Sequence, residues 1–460
     1  MDRAGGDAEA AGQASLRSGP DACCGPALAG NRVAPMPKFR TVTLGCKVNQ
    51  YETQYLREGL ARLGYREAEQ HERADLCIVN TCTVTAEADY KSRKVIRALA
   101  RQNPNARIIV TGCYATRASG EVAGLPGVVA VVTDKRELPD LLRRLGLAEL
   151  PLGISKFVGR HRAWVKVQDG CTMRCSYCIV PKVRPNLWSR PADQVLQEVQ
   201  RLAAAGYREI VLAGVHLGHY GLDFSGGKGL KRPDLAWLVG RLALLEGDFR
   251  IRLSSLDPSE ITPELIRLMA EWPHRICAHL HLPLQSGSDR VLKRMRRSYS
   301  LDFYQKQCSA IRDRSPDLAI TTDLIVGFPG ETEEDFAATC RAAEQLGFAH
   351  LHVFRYSRRQ GTPAANMPDQ VPEQVKQRRA GELGQLGQKL RNDYLKRLLG
   401  RNLQVLVQCP VDGLPNRWLG ICSEYATVEL EASASEEGKL IWAIAENVEG
   451  ERIRASWVNG

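Results

Sequence analysis

The chain of 460 residues lacks the marks of a membrane-spanning or secreted protein. No apolar run approaches the roughly 20 residues that cross a bilayer, and the N-terminus lacks the charged-then-apolar pattern of a secretory signal. The composition, 44% hydrophobic and 25% charged, is that of an ordinary globular protein. We therefore expect a soluble cytoplasmic protein of about three domains, because domains commonly contain roughly 100–200 residues.

A disulfide framework is not expected, because the fourteen cysteines are spread along a chain without a secretion signal. Reduced thiols and metal ligation are the more reasonable use of these cysteines. Cys171, Cys175 and Cys178 form a C-x3-C-x2-C pattern directly after the alternating apolar run 163–168. Three thiolates on one loop can hold three irons of a [4Fe–4S] cluster and leave the fourth iron open for a substrate. Zinc is the alternative, but zinc prefers C-x2-C pairs with a fourth ligand nearby, which this stretch lacks.

Strands alternate with helices between residues 38 and 150. The predicted strands are 39–44, 75–79, 107–110 and 128–132, and the predicted helices are 50–63, 85–101 and 137–145. This alternation predicts a doubly wound parallel sheet of the α/β class. In such sheets, ligands bind beyond the carboxyl ends of the strands.

Three more cysteines follow predicted strands of this sheet. Cys46 follows the first strand, Cys82 the second and Cys113 the third. Because the ends of parallel strands meet at one edge, we expect these thiols to form a second metal site. Cys77 lies inside a strand instead, where a thiol usually packs as a small apolar side chain.

A second series of strands and helices occupies the middle of the chain. The predicted strands are 163–168, 209–213, 250–254, 276–284, 319–326 and 351–356, and the predicted helices are 192–205, 235–245, 262–269, 301–313 and 331–346. Six such repeats predict a partial (β/α)6 barrel that stays open where a full barrel closes. Its functional groups would lie on the loops after the strands, including the loop with the three cysteines.

Other strand-end loops are candidates for binding the ligand of the open iron. The candidate residues are Gly214, Ser254, Gln285 and Asp323, with His216 a weaker candidate. Tight turns alone would also explain the glycines and prolines of these loops.

The C-terminal part begins with a charged helix over 371–399, which we interpret as a solvated helix between two domains. Five short strands follow at 403–407, 418–421, 426–430, 440–443 and 451–457. They predict a small β-barrel, a fold that binds RNA in several proteins but not in all. A net charge of +11 favours a polyanionic partner.

Residues 1–37 have no hydrophobic period and are predicted to be a disordered tail, in which Cys23 and Cys24 are not expected to bind metal. The remaining cysteines are assigned to packing. They are Cys277, Cys308, Cys340, Cys409 and Cys422.

These motifs together resemble the methylthiotransferase family of radical S-adenosylmethionine enzymes, from about Phe39 to Trp457. The resemblance implies an N-terminal methylthiotransferase domain at 38–150, a radical SAM domain at 155–385 and an RNA-binding TRAM domain at 398–460. It also implies S-adenosylmethionine and two [4Fe–4S] clusters as cofactors. Cys171, Cys175 and Cys178 would hold the catalytic cluster, and Cys46, Cys82 and Cys113 the cluster that carries sulfur.

Within the family, the stretches 45–53, 80–89 and 281–297 look like the MtaB branch. That branch methylthiolates C2 of N6-threonylcarbamoyladenosine at position 37 of tRNA. Sister branches act on N6-isopentenyladenosine of tRNA or on an aspartate of a ribosomal protein. The stretches 184–190 and 354–363 depart from the family pattern, but neither contains a predicted cluster ligand.

The resemblance implies the tRNA anticodon loop as substrate, an electron donor such as flavodoxin or ferredoxin, no membrane partner and a monomeric chain. Basic residues at 91–94, 293–297 and 371–399 are expected to hold the tRNA backbone. Two alternatives stay open at this point. One is the same chemistry on a different substrate of the family, and the other is a non-catalytic RNA-binding protein with structural metal sites.

Overall fold

In the computed structural model, the described residues are 36–225 and 232–458. The predicted tail, with Cys23 and Cys24, therefore lies almost entirely outside the described residues. Among the described helices, none combines the length and the apolar character that crossing a membrane would require.

The N-terminal sheet has five parallel strands in the order β2-β1-β3-β4-β5. Its elements are β1 (Lys38–Thr43), α1 (Lys47–Arg62), β2 (Arg66–Glu67), β3 (Leu76–Thr81), α2 (Ala86–Gln102), β4 (Arg107–Gly112), α3 (Cys113–Arg117), α4 (Ser119–Ala123), β5 (Val128–Val131) and α5 (Leu138–Arg144). All six residues of β3 are buried, as expected for a central parallel strand covered on both faces. The direction of winding reverses between β1 and β3, which is where sheets of this order bind ligands.

Local sequence signals account for the start of α2. The side chain of Thr85 accepts a hydrogen bond from the backbone N–H of Ala88, which satisfies one of the free donors of the first turn. Glu87 and Asp89 add negative charge at the same end, where the helix dipole is positive. The loop after β3 is therefore fixed close to the strand end.

The central part contains six parallel strands. Its elements are β6 (Arg162–Asp169), α6 (Val180–Val183), β7 (Trp188–Ser189), α7 (Ala192–Ala204), β8 (Glu209–Gly214), α8 (Leu235–Ala243), β9 (Arg250–Leu253), α9 (Pro263–Glu271), β10 (His279–His281), α10 (Asp289–Arg294), α11 (Leu301–Arg314), β11 (Ala319–Val326), α12 (Glu333–Leu346) and β12 (His350–Arg355). The strands β6, β8 and β9 pair in parallel, as do β10, β11 and β12, and a bridge from Ile251 to Ile276 joins the two groups. Within the described ranges, β6 and β12 do not pair, so the predicted partial barrel is confirmed and is open between its first and last parallel strands.

The C-terminal part is a closed five-stranded barrel. Its elements are α13 (Glu373–Arg397), β13 (Asn402–Pro410), β14 (Arg417–Cys422), β15 (Thr427–Glu431), β16 (Leu440–Glu449) and β17 (Arg452–Trp457). The strands close in the order β13-β14-β15-β17-β16 around an apolar core. The predicted α/β fold class with a small terminal β-barrel is confirmed.

The helix α13 joins the central part to the terminal barrel, as predicted from its charge, but it is only partly solvated. Its exposed cations include Arg378, Lys389, Lys396 and Arg397. Lys376 and Arg379 are buried, and Arg379 lies within hydrogen-bond distance of the Glu331 carboxylate. Arg391 donates to the backbone oxygen of Ala349 at 3.2 Å. These cations join the helix to the central barrel, because their long apolar stems pack while their charged ends find partners.

Candidate active site

The structure brings Cys46, Cys82 and Cys113 to the carboxyl edge of the N-terminal sheet, after β1, β3 and β4. A Cβ atom on Gly45 would lie 2.9 Å from the Cβ of Cys82, so only glycine lets these two loops approach so closely. Gly45 also has a φ of +100°, which other residues rarely adopt. Cys46 is exposed, Cys82 is half-buried and Cys113 is buried.

Asn49 on α1 ties the loops of this trio together. Its amide donates to the backbone oxygens of Leu44 at 2.9 Å and Thr81 at 3.0 Å. The Cys46 sulfur lies 3.8 Å from the amide oxygen of Asn49, which also accepts from Arg184 at 2.8 Å. The edge of the sheet is therefore held in place by side-chain hydrogen bonds.

Cys171, Cys175 and Cys178 lie on the loop after β6, as predicted. Gly170 starts this loop with a φ of +83°, and a Cβ there would lie 2.0 Å from the backbone oxygen of Asn186. The loop is thus pressed against the segment that follows α6. Burial raises the pKa of the Cys178 thiol to about 12, so this sulfur favours a proton until a metal ion replaces it.

Each trio offers three thiol sulfurs, which is the donor set that three irons of a [4Fe–4S] cluster take. Zinc would need a fourth ligand beside each trio. Among the described residues, a different group, His216, His219 and Glu260, places three potential ligand atoms within 4.8 Å of one another. The assignment of a cluster to each cysteine trio stays a prediction.

Arg184 connects the two trios. Its backbone oxygen accepts from the N–H of Cys171 at 3.1 Å, and its Nε lies 3.4 Å from the Cys113 sulfur. Its remaining donors reach Glu52 and Asp169 at 2.8 Å. One side chain thus fixes the position of the cysteine loop relative to the edge of the N-terminal sheet.

A cavity of about 320 Å³ is lined by residues of all three parts of the chain. Lys47, which follows Cys46, lies on one side, and Tyr425 of the terminal barrel lies on another. The predicted residues Ser254 and Asp323 both line this cavity. The buried hydroxyl of Ser254 and the Nδ1 of His279 have no hydrogen-bond partner within the described residues, so the cavity offers free polar groups to a ligand.

The other two predicted cofactor residues lie at strand ends but outside the lining of this cavity. Gly214 ends β8, where a Cβ would lie 2.9 Å from the Cα of Leu217. Gln285 is buried with a φ of +69°, and its N–H donates to the backbone oxygen of Asp323 at 2.8 Å. Their part in cofactor binding stays a prediction.

The assignment of residues 293–297 to the tRNA backbone is wrong for Arg297. Its guanidinium is buried, pairs with Asp257 and lies 3.2 Å from the Cys175 sulfur. Arg294 points inward too, donating to the backbone oxygen of Pro329 at 3.1 Å. A run of basic residues predicts exposed side chains, but here Arg297 is buried and Arg294 is partly buried.

Sequence reasoning missed the contacts of Arg184, Lys47 and Arg297 with the site. Lys47 had a signal, since it directly follows a predicted ligand. Arg184 and Arg297 carried no such signal, because the sulfurs they approach are 71 and 122 residues away in the chain.

Two family models match the chain. The model of the radical SAM superfamily matches residues 165–343, and the model described as uncharacterized protein family UPF0004 matches residues 38–134. The solved structure of the radical S-adenosylmethionine methyltransferase TsrM from Kitasatospora setae has a similar fold, with a TM-score of 0.52 at 15% identity, covering 72% of this chain and 77% of TsrM. This likeness concerns the fold alone.

Curated relatives are closer in sequence. The threonylcarbamoyladenosine tRNA methylthiotransferase MtaB of Bacillus subtilis is 39% identical over 87% of this chain and 91% of its own length. MtaB of Thermotoga maritima is 36% identical over 81% and 87%, respectively, and these relatives confirm the predicted resemblance to the MtaB branch. The tRNA-2-methylthio-N(6)-dimethylallyladenosine synthase of Corynebacterium urealyticum is 38% identical over 82% and 74%. With such identity across nearly the whole length of its relatives, the chain belongs to the radical S-adenosylmethionine methylthiotransferase family, whose cofactors are [4Fe–4S] clusters and S-adenosylmethionine.

Proposed function

We propose that this protein methylthiolates C2 of N6-threonylcarbamoyladenosine at position 37 of tRNA, using one cluster on each cysteine trio. The observation that carries the proposal is the cavity that Lys47, the residue after Cys46, lines together with side chains of the central part and of the terminal barrel. A reaction that joins a sulfur source, a cofactor and an RNA base needs such a shared space.

The bound cofactors supply the removal of hydrogen from an inert carbon and the sulfur and methyl group that replace it. The chain supplies position. Arg184 holds the cysteine loop against the N-terminal sheet. Asn49 holds the strand-end loops, while Ser254 and Asp323 offer polar groups to the methionyl or ribosyl part of S-adenosylmethionine.

The charge of the cavity favours threonylcarbamoyladenosine over isopentenyladenosine. The lining carries the cations of Lys47, Arg162 and Arg252 and one carboxylate, that of Asp323. Arg162 and Arg252 face the buried Glu209 carboxylate, so Lys47 is the cation that we assign to the substrate. A threonylcarbamoyl group bears a carboxylate, whereas an isopentenyl group is wholly apolar. Charge-assisted hydrogen bonds to the carboxylate stabilise bound threonylcarbamoyladenosine. Isopentenyladenosine has no carboxylate on its side chain and cannot form them.

The same proposal assigns the terminal barrel to tRNA binding, in line with its place beside the cavity through Tyr425. Bases next to an anticodon are single-stranded, so they can leave the stack and enter a pocket. A cytoplasmic location, a monomeric chain and an electron donor such as flavodoxin or ferredoxin complete the proposal.

Mass spectrometry of tRNA nucleosides tests the substrate. Cells lacking the gene should lose 2-methylthio-N6-threonylcarbamoyladenosine, and a plasmid copy should restore it while a Cys82→Ala copy should not. Unchanged levels of that nucleoside would refute the choice of substrate, and loss of the isopentenyl analogue would point to the sister reaction. If anaerobically purified protein makes no 5′-deoxyadenosine from S-adenosylmethionine and dithionite, the catalytic proposal itself fails.

A further inference from the structure

A short acidic turn after β9 lies behind the cysteine loop. It consists of residues 257–260, with Asp257 at the start and Glu260 at the end. The Glu260 carboxylate accepts from the N–H of Asp257 at 2.9 Å, and Asp257 accepts from the N–H of Ser259 at 3.1 Å. This reciprocal capping makes the turn rigid and fixes the direction of both carboxylates.

Each carboxylate of the turn holds a basic side chain whose other end reaches a cysteine sulfur. Asp257 pairs with Arg297, whose Nη1 lies 3.2 Å from the Cys175 sulfur. Glu260 contacts Nε2 of His216, whose Nδ1 lies 3.6 Å from the Cys171 sulfur. All four side chains of these two pairs are at most 14% exposed, so water competes little with the contacts.

We propose that the turn 257–260 positions His216 and Arg297 as hydrogen-bond donors to two of the three thiolates of the cluster and thereby raises its reduction potential. The inference rests on the proposed cluster at Cys171, Cys175 and Cys178. Hydrogen bonds and positive charge at the sulfurs stabilise the reduced cluster, which carries one more negative charge than the oxidised one. One electron enters on reduction, and no bond to the protein forms or breaks.

A metal ion on His216, His219 and Glu260 is the rival use of the same residues, since their ligand atoms lie within 4.8 Å of one another. The two uses differ in what they need. A metal ion would replace the contact between Nε2 of His216 and Glu260, whereas the donor role uses both that contact and the approach of Nδ1 to the Cys171 sulfur.

The test measures the midpoint potential of the cluster by EPR during a reductive titration with dithionite. The full chain with Cys82→Ala serves as parent, so that one cluster is measured in the absence of tRNA. Asp257→Asn and Glu260→Gln should each lower the equilibrium constant for reduction about tenfold, which is a shift of about 59 mV to more negative potential for one electron. Arg297→Lys keeps a cationic donor and should fall between the parent and Asp257→Asn.

Matched controls come from neighbouring pairs that touch no cysteine sulfur in the described contacts. Arg267→Gln removes ion pairs with Glu264 and Glu271, and Arg290→Gln breaks an ion pair with Asp335. Both controls should keep the potential of the parent.

Iron content separates the possible failures. A parent chain without a cluster contradicts the proposed function, whereas full iron with an unchanged potential in Asp257→Asn and Glu260→Gln overturns only this inference. If Asp257→Asn or Glu260→Gln loses iron, the inference is judged on the midpoint potential of Arg297→Lys. A potential equal to that of the parent overturns the inference. Loss of one equivalent of bound zinc or iron in both His216→Gln and His219→Gln would also overturn it in favour of a separate metal site.

Discussion

Four charged side chains are buried together beside the two cysteine trios. Lys166 donates to Glu52 at 2.7 Å, and Arg184 donates to Glu52 and Asp169 at 2.8 Å. The two cations and two anions neutralise one another, and a buried charge is tolerated only when an opposite charge is close to it. These ion pairs join α1 of the N-terminal sheet to β6 of the central barrel, so they help to hold the two domains together.

Glu52→Gln should destabilise the fold by about 3 kcal/mol at neutral pH, because Arg184 and Lys166 each lose one of their buried anions. Burial alone would raise the pKa of Glu52, but Arg184 and Lys166 outweigh burial and lower it to about 2. Because the folded pKa lies below the ordinary value of 4.5, the stabilisation is present above pH 4.5 and is lost as pH falls toward 2. Urea unfolding from pH 7 to pH 3 measures both effects. The half-exposed Glu121, changed to Gln, should alter stability by less than about 0.5 kcal/mol, and an equal loss at both positions would contradict the argument.

Cys82→Ala should remove the iron of one cluster and abolish methylthiolated tRNA while 5′-deoxyadenosine is still made. Cys82 belongs to the trio assigned to sulfur, whereas cleavage of S-adenosylmethionine is assigned to the other trio. Iron analysis and nucleoside mass spectrometry provide the measurements. Cys77→Ala is the matched control, because this thiol is buried within β3 and not at its end. Loss of 5′-deoxyadenosine in Cys82→Ala alone would show that the two trios do not divide the work in this way.

Lys47→Met should raise KM for tRNA that bears threonylcarbamoyladenosine about tenfold, since a hydrogen bond to a charged group contributes about 1.5 kcal/mol. A substrate whose threonyl carboxylate is converted to a methyl ester removes the same contact with Lys47 from the substrate side. The ester should weaken the wild-type protein and have little further effect on Lys47→Met. Additive losses would mean that Lys47 does not face the carboxylate.

At the scale of elements, the loop after β6 depends on a backbone conformation that only glycine adopts easily. Gly170 has a φ of +83° and lies against the backbone of Asn186. Gly206 provides a comparison, because its φ is +94° but no atom lies within 4 Å of where its Cβ would be. Any other residue would be strained in the left-handed conformation at both positions. Only at Gly170 would its side chain also clash with neighbouring atoms.

Gly206→Ala should therefore cost about 1–2 kcal/mol from backbone strain alone. Gly170→Ala should cost more, and it should also lower the iron bound per chain, because the clash displaces the cysteine loop. Urea unfolding and iron analysis measure the two quantities. Equal stability and equal iron in the two variants would show that the loop tolerates displacement.

The sequence predicted most long elements within a few residues, because each long helix and buried strand carries a periodic apolar pattern. It failed where an element is short or depends on a neighbour. The predicted strand 276–284 is in fact His279–His281, with an isolated bridge at Ile276. The short helices α3, α4, α6 and α10 were not predicted, because four to six residues are too few to show a helical period.

At the scale of the whole molecule, one buried anion supports the contact between the terminal barrel and the central barrel, beside apolar packing through Ala319 and Ala349. Glu209 holds Arg250 and Arg252, each at 2.8 Å. Arg250 donates to the backbone oxygens of Gln404 and Ile421, and Arg252 donates to those of Cys422 and Ser423. The arginines satisfy backbone groups of the barrel that the apolar surface around them would leave unpaired.

Glu209→Gln should loosen this attachment, because two buried guanidinium groups then share no carboxylate. Burial alone would raise the pKa of Glu209, but Arg252 and Arg250 outweigh burial and lower it, so the ionised form is the one that holds them. Limited proteolysis should cut between α13 and β13 earlier in the variant than in the wild-type protein, and urea unfolding should broaden or split. A single sharp transition at the wild-type midpoint would contradict this role. Glu431→Gln on the exposed surface of the terminal barrel is the control.

The convergence of Cys46, Cys82 and Cys113 was predictable from the rule that parallel strand ends meet at one edge. The relation between the two trios was not predictable, because no pattern in the sequence says which face of the sheet meets the central barrel. That relation depends on Arg184, Glu52 and Asp169, whose partners are up to 135 residues away. The role of such side chains can be recognised only when the packing of the domains is known.

Arg184 also has a consequence for the assembly of the mature protein. Since its backbone fixes the loop of one trio and its guanidinium lies against a sulfur of the other, ordering of either site restricts the same residue. Thermodynamic linkage requires such an effect to be mutual. Filling the first site should tighten the second by the same factor whichever is filled first, and chains carrying one cluster should be rare among partly reconstituted molecules.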